Sequence, residues 1–281
     1  MDEPAADSWW CSCDPASIPS KENLHRSFVA LLQPEGYFVE RFNTGALNDG
    51  AAGGGSQQQA GQQQQLRVLD AGCGDGRIAL GLARSGCNVV GMDVNPAAVA
   101  AANAAAAAVV LSPPGASESG TGGLGTAEFV DGSCGEASTL AEALGDRSAG
   151  GFDMVLAQLL VSVVGGAAER AALLLALRGV LRPGGKLLLS ASAVSDDINP
   201  DYAEVYRRGL EETGEEHSYI SRDESGGALY RTHHFTFGEL SALVKESGFE
   251  LVAMNKEREA SSRRPDQAAW FIYVVAEHAP S

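Results

Sequence analysis

Three carboxylates, each closing an apolar run, stand out for the chemistry they can do together. Val68-Leu69-Asp70 leads into Ala71-Gly72-Cys73-Gly74-Asp75-Gly76-Arg77. Glycines at alternate positions let a backbone approach a ligand closely, and a helix starting behind them offers unpaired N–H groups. The same glycines would also make a tight turn and nothing more. The spacing departs from the G-x-G-x-x-G of dinucleotide sites, since the position three after Gly74 is Arg77. Asp93 ends the next apolar run, seventeen residues after Gly76. An acidic side chain there can accept two ribose hydroxyls. It can also cap the helix opened by Pro96, a task that Asn95 is equally suited to, and we give the cap to Asn95 and the sugar to Asp93. In Phe129-Val130-Asp131-Gly132-Ser133, a carboxylate followed by backbone N–H groups can read an adenine amino group and its neighbouring ring nitrogen. An ordinary turn capped by Ser133 is the alternative.

The elements that must position these groups follow from hydrophobic periodicity. Strands are expected at 66–72, 88–93, 127–131, 152–157, 186–192, 250–256 and 268–278. Helices are expected at about 76–85, 96–110, 135–145, 169–181 and 236–249. Strands separated by helices of 10–15 residues imply right-handed crossovers and a doubly wound α/β sheet. The last two strands have no helix between them, so they should be antiparallel neighbours. Residues 45–65 and 112–126 are Gly-, Ala-, Gln- and Ser-rich, and read as loops that cannot bury enough apolar surface to offset their ordering entropy. The expected organisation is an N-terminal cap over 1–44, a low-complexity loop over 45–65, and one domain over 66–281 with a lid insertion at 193–235.

Taken together, D-x-G-x-G-x-G, an acid after the second strand and an aspartate after the third resemble the class I S-adenosylmethionine-dependent methyltransferases. FDMVLA (152–157) and LRGVLRPGGKLLLSAS (177–192) carry the same resemblance. It covers roughly 66–192 and, more loosely, 236–278. It implies a Rossmann-like seven-stranded sheet with its last strand antiparallel, carrying cap segments at the N-terminus and after strand five. It also implies S-adenosyl-L-methionine as cofactor. By the same resemblance, Asp70, Gly72 and Gly74 face the methionine moiety, Asp93 takes the ribose, and Asp131 with the Gly132 N–H takes the adenine. Met92 and Val94 sandwich the ring, and Gln158 lines the wall near the methyl donor. Cys73 has no base beside it in sequence and is not read as a nucleophile.

The acceptor is less legible. A [DNS]-P-P-[YFW] turn after strand four would mark methylation of a base amino group, but the chain reads Ala157-Gln158-Leu159-Leu160. The aspartate that catechol-type enzymes give to magnesium at that point is also replaced by glutamine, so no metal is expected. The insertion 193–235 is the candidate for acceptor recognition, with Tyr202, Tyr206, Tyr219, Tyr230 and the pair His233-His234. Either histidine could serve as a base near neutral pH, or pack and be solvated. The expected reaction is in-line methyl transfer to a small molecule. A tRNA-modifying enzyme and a catalytically silent cofactor-binding scaffold are the alternatives.

Composition sets the outer bounds. Apolar residues make up 44% and charged residues 20%, which excludes a wholly disordered chain, a collagen-like repeat and a coiled-coil rod. A formal net charge of −16 argues against a nucleic-acid partner gripped by a broad basic surface. Five cysteines without CxxC pairs read as reduced intracellular thiols. The acidic start MDEPAADSWW has no apolar core of a secretory signal, and the apolar stretch 97–111 is too short to span a bilayer. The expected compartment is the cytoplasm; the oligomeric state is left open.

Overall fold

The apolar runs assemble into one twisted sheet. The computed structural model describes residues 12–14, 26–28, 65–111, 125–261 and 266–279, and of 109–111 only the backbone. Most of the expected cap 1–44 and loop 45–65, and 112–124 of the second loop, lie outside the described residues. The strands are β1 Arg67–Ala71, β2 Asn88–Asp93, β3 Ala127–Asp131, β4 Phe152–Gln158 and β5 Leu181–Ala193, then β6 Ser218–Arg222, β7 Ala228–His233, β8 Glu250–Ala260 and β9 Ala268–Glu277. The helices are α1 Arg77–Arg84, α2 Pro96–Leu111, α3 Ala137–Leu144, α4 Ala167–Val180, α5 Asp201–Thr213 and α6 Phe237–Glu246.

Seven strands pair in the order β3-β2-β1-β4-β5-β9-β8. β9 runs antiparallel to both β5 and β8, so it alone opposes the other six. The sheet reverses direction of winding between β1 and β4, which pair in parallel through Leu69 and Val155. Loops leaving those two strands therefore part, and open the crevice in which doubly wound sheets bind ligands. β5 begins at Leu181, earlier than expected, because Leu181 already pairs with Phe152.

Both faces of the sheet are covered, so the central strands read as continuous apolar runs. Leu69, Val155, Leu187, Leu189 and Val274 pack on one face against Leu140, Leu173, Leu177 and Leu240 of α3, α4 and α6. Val68, Met154, Leu156, Leu188 and Val275 pack on the other against Ala79, Leu80 and Leu82 of α1 and Val99 and Ala102 of α2. The described piece of the N-terminal region joins this second layer, where the Phe28 ring meets Tyr273 edge-on at 5.3 Å. Among the described residues no helix is long and apolar enough to cross a membrane.

The insertion after β5 is a helix and a hairpin: α5, then β6 paired antiparallel with β7. The Asp223 carboxylate shapes the turn, accepting from the Ser225 and Gly227 amides at 2.9 and 2.8 Å. One face of the hairpin is held by Glu215. Its carboxylate takes Arg170 of α4, the Arg231 guanidinium at 2.8 Å and the Ser218 hydroxyl at 2.6 Å. Burial alone would raise the Glu215 carboxyl, but hydrogen bonds from Ser218 and Arg170 hold it below its ordinary value. Arg170 is only 2% exposed, so its charge depends on this partner. Glu215→Gln should therefore lower stability by about 2–3 kcal/mol, since the guanidinium would stay buried and unneutralised. Urea denaturation measures this, and a loss below about 0.5 kcal/mol would show that Glu215 does not hold the hairpin.

Candidate functional site

The glycine loop folds back onto the end of β2. Gly72, Gly74 and Gly76 adopt φ of 73°, 54° and 76°, the left-handed region in which a Cβ is strained. The loop can then aim successive amides at one place. The Gly72 and Cys73 N–H groups donate to the Met92 carbonyl at 2.8 and 3.0 Å. The Gly74 N–H donates to Asp93 Oδ2 at 2.8 Å, while Asp93 Oδ1 accepts from the Asn95 N–H at 2.9 Å. Asn95 caps α2, accepting from the Ala97 and Ala98 amides at 3.0 and 3.3 Å. Its amide nitrogen donates to the Cys13 carbonyl at 2.8 Å and so ties down the N-terminal piece.

A cavity of about 560 Å³ opens at this edge of the sheet. Gly72, Met92, Asp93, Val94 and Gly132 line one end. Gln158, Leu159 and Leu160 line the middle. Leu159 has φ of 60°, an uncommon conformation for a residue with a side chain, and its N–H is held by the Ser190 carbonyl at 3.0 Å. Tyr202, Tyr219, Ser221, Tyr230, Thr232 and His234 line the far end.

Electrostatics differ sharply between the two ends. Asp70 is buried, and its carboxyl is pushed up to about 7, first by that burial and then by the charge of Asp93, with the Ala79 amide pulling the other way. Among the described residues its Oδ2 has no hydrogen-bond partner, and neither has Nε2 of Gln158. Two buried polar atoms without partners, near the ends of β1 and β4, are what a polar ligand would satisfy. Burial also raises the Asp93 carboxyl, against the pull of the Asn95, Gly74 and Val94 amides. Cys73 is driven upward by burial and by Asp70 and Asp93, so it stays a thiol.

Several expected site residues converge and others do not. Gly72, Met92, Asp93, Val94, Gly132, Gln158 and His234 face the cavity. Asp70 and Gly74 stand behind its wall, with the Gly74 amide committed to Asp93. The structure does not bring Asp131 to the cavity: it is exposed and outside the lining, and the Gly132 N–H donates to the Asp93 carbonyl at 3.0 Å. Parallel pairing of Asp93 with Asp131 has already used that amide. Ser133 and Cys134, just beyond, line the wall instead.

His233 is likewise not brought to the cavity. It is buried, off the cavity, with Nδ1 at 2.8 Å from the Ser218 hydroxyl and Nε2 at 2.8 Å from Glu239. Strand alternation explains the split between the two histidines. β7 places Tyr230 and Thr232 toward the cavity, with His234 just past its end facing the same way, and Arg231 and His233 toward Glu215. His234 Nδ1 lies 2.8 Å from the Tyr206 hydroxyl and Nε2 lies 3.2 Å from that of Tyr219. Burial, aided by the nearby His233 and His217, pushes His234 down to about 3. Among the described residues, no cluster of His, Cys, Asp and Glu could hold a metal ion.

Comparison with known proteins agrees with this arrangement. A family model described as a methyltransferase domain matches residues 69–189, from β1 into β5. A SAM-dependent methyltransferase of Methanosarcina mazei is similar over 78% of this chain and 95% of its own, with 26% identity and a TM-score of 0.63. A Pyrococcus horikoshii protein shares the fold over 93% of this chain and 96% of its own, at 18% identity and a TM-score of 0.53. A putative methyltransferase of Bacillus halodurans shares it over 77% of this chain and 94% of its own, at 15% identity and a TM-score of 0.50. No curated protein matches the chain. The glycine loop, the strand order and the domain matched over residues 69–189 are together consistent with a class I S-adenosylmethionine-dependent methyltransferase.

Proposed function

We propose that the protein transfers the methyl group to a small-molecule acceptor, in line, inside the cavity that joins the glycine loop to the hairpin. The observation that carries this reading is the continuity of that cavity, from Gly72 and Asp93 to Tyr219 and Tyr230. S-adenosylmethionine, when bound, supplies a methyl group already activated on a cationic sulfur.

The chain's own residues have defined tasks in this reading. Asp70, with a buried unpartnered oxygen, receives the cofactor's ammonium group, directly or through water. Asp93 has given one lone pair of each oxygen to Gly74 and Asn95, and keeps the others for ribose hydroxyls. Met92 and Val94 offer apolar contact for the adenine ring, and Gln158 turns its unpartnered amide to the methionine end. Walls from Leu159 to Leu160 and from the hairpin exclude water and align the acceptor, which can supply roughly 7–11 kcal/mol of the barrier. The ionisable carboxylates lining the cavity are Asp93, Glu136 and Glu169, with no Lys or Arg beside them among the described residues. That polarity favours an uncharged or cationic acceptor over a nucleic-acid backbone. Three buried thiols, at Cys73, Cys87 and Cys134, support a reducing and hence cytoplasmic setting.

Incubation with methyl-labelled cofactor and a cell extract should put the label into low-mass compounds. Label recovered chiefly in RNA or protein would defeat the small-molecule reading. Asp93→Asn should weaken cofactor binding by about 1.5–3 kcal/mol, the range for hydrogen bonds to a charged group. Unchanged affinity in calorimetry would remove Asp93 from the site.

Asp70 gives a pH signature with a definite sign. Its folded carboxyl sits above the unfolded value of 3.8, so the ligand-free fold loses stability as pH rises toward and through about 7. Asp70→Asn should therefore stabilise the ligand-free protein increasingly from pH 5 to pH 8, by about 1–3 kcal/mol at the upper end. A cationic ligand demands the ionised form, so cofactor affinity should climb between pH 6 and 8 with release of a proton. The same substitution should flatten that climb; a slope that survives it would assign the proton elsewhere.

A further inference from the structure

The hydrogen bonds behind the hairpin run in one direction, and that direction decides what His234 can do. Tyr206 is buried, and two groups reach its hydroxyl: the Ser195 amide at 3.3 Å and His234 Nδ1 at 2.8 Å. An amide only donates, so the Tyr206 oxygen accepts from Ser195. Among the described residues the acceptor within reach of the Tyr206 proton is then His234 Nδ1. The imidazole receives on Nδ1, so it carries its own hydrogen on Nε2, 3.2 Å from the Tyr219 hydroxyl. The chain of donors is thus Ser195 to Tyr206, Tyr206 to His234, and His234 to Tyr219.

Two consequences follow for the cavity. The one basic lone pair of the neutral ring is spent on Tyr206, which does not line the cavity, whereas His234 and Tyr219 do. The Tyr219 oxygen already accepts from His234, so the hydroxyl is oriented to act as a donor. The rings are packed to keep it so: Tyr202 stacks on Tyr206 at 5.5 Å and lies 5.0 Å from His234, and Tyr219 meets His234 edge-on at 5.4 Å. The titratable groups facing the imidazole are Tyr202 and Tyr206 from α5, Tyr219 from β6, and His217 and His233.

We propose that His234 is a positioning residue, fixed as the neutral Nε2–H form, that presents Tyr219 as a hydrogen-bond donor to the methyl acceptor. This rests on the reading that the acceptor occupies the hairpin end of the cavity. The acceptor then carries a lone-pair group such as a carbonyl, ether or ionised oxygen against Tyr219. Its methylated atom is nucleophilic without help from the imidazole: the carbon–sulfur bond breaks as the new bond forms, and any proton on that atom goes to solvent.

Ring spectra of protein labelled with ¹⁵N-histidine test the tautomer without any acceptor. The expected spectrum for His234 is a neutral Nε2–H ring unchanged from pH 5 to 8, and Tyr206→Phe should release it, moving the Nδ1 shift and raising its titration point. A ring that titrates between pH 6 and 7 in the unaltered protein, or that carries its hydrogen on Nδ1, overturns the proposal. With the acceptor found by cofactor labelling, Tyr219→Phe should raise its KM about tenfold and leave kcat within about twofold. His234→Gln should keep the position of the pH–rate profile; loss of a limb of that profile with KM unchanged would make His234 a base instead. An extract that yields no labelled small molecule would remove the reading of the hairpin end and the role of Tyr219 with it, while the spectra still decide the tautomer.

Discussion

One carboxylate at the end of β2 sets the geometry on which the glycine-loop end of the cavity depends. Asp93 holds the Gly74 amide on one oxygen and the Asn95 amide on the other. It therefore fixes both the glycine loop ahead of α1 and the cap of α2. The Met92 carbonyl beside it takes two more loop amides. A glycine loop free of these bonds would have many conformations to lose on binding; tied to β2, it is already ordered. The tie leaves Asp93 with further accepting capacity, since a carboxylate has about four lone-pair directions and the Gly74 and Asn95 amides take one on each oxygen.

The hairpin end of the cavity is built on a different device, a two-sided strand pair. Period-two alternation sends Tyr219, Ser221, Tyr230, Thr232 and His234 to the cavity, and Ser218, Arg231 and His233 to the Glu215 cluster. A short hairpin is marginal alone, so its outer face needs this charged anchorage. Glu239 adds a second tie, accepting from His233 while closing the capping box of α6 with Thr236. Rigidity on the outer face lets the inner face present hydroxyl and imidazole groups at fixed positions.

The sheet was readable because burial on both faces writes itself as long apolar runs, and LRVLDAG and KLLLSAS can be little else. The antiparallel last strand followed from the missing helix between the final two runs. The hairpin was not read, because SYISR and ALYRTH are short, mixed in polarity and joined by a polar, glycine-containing turn. Around the candidate site, the strand ends at Asp70 and Asp93 and the glycine loop between them were legible from spacing. The fate of Gly132 was not, because the register that spends its amide on Asp93 is a property of pairing between strands. Of the histidine pair only His234, just past the end of β7, lines the cavity, because successive residues of an extended chain face opposite ways.

Asp70 shows what the site costs the ligand-free fold. A carboxyl buried beside a second carboxylate, with one oxygen unpartnered among the described residues, is poorly placed for stability at neutral pH. Leu159, in a left-handed conformation at the cavity wall, adds backbone strain of order 1–3 kcal/mol. Neither feature serves packing, and both lie at the ends of the two strands where the sheet's winding reverses. A cationic group entering there would neutralise the first and find the second already shaped to meet it. The stability given up at the ends of β1 and β4 is therefore available to binding, and folding is sustained by the apolar layers on the two faces of the sheet.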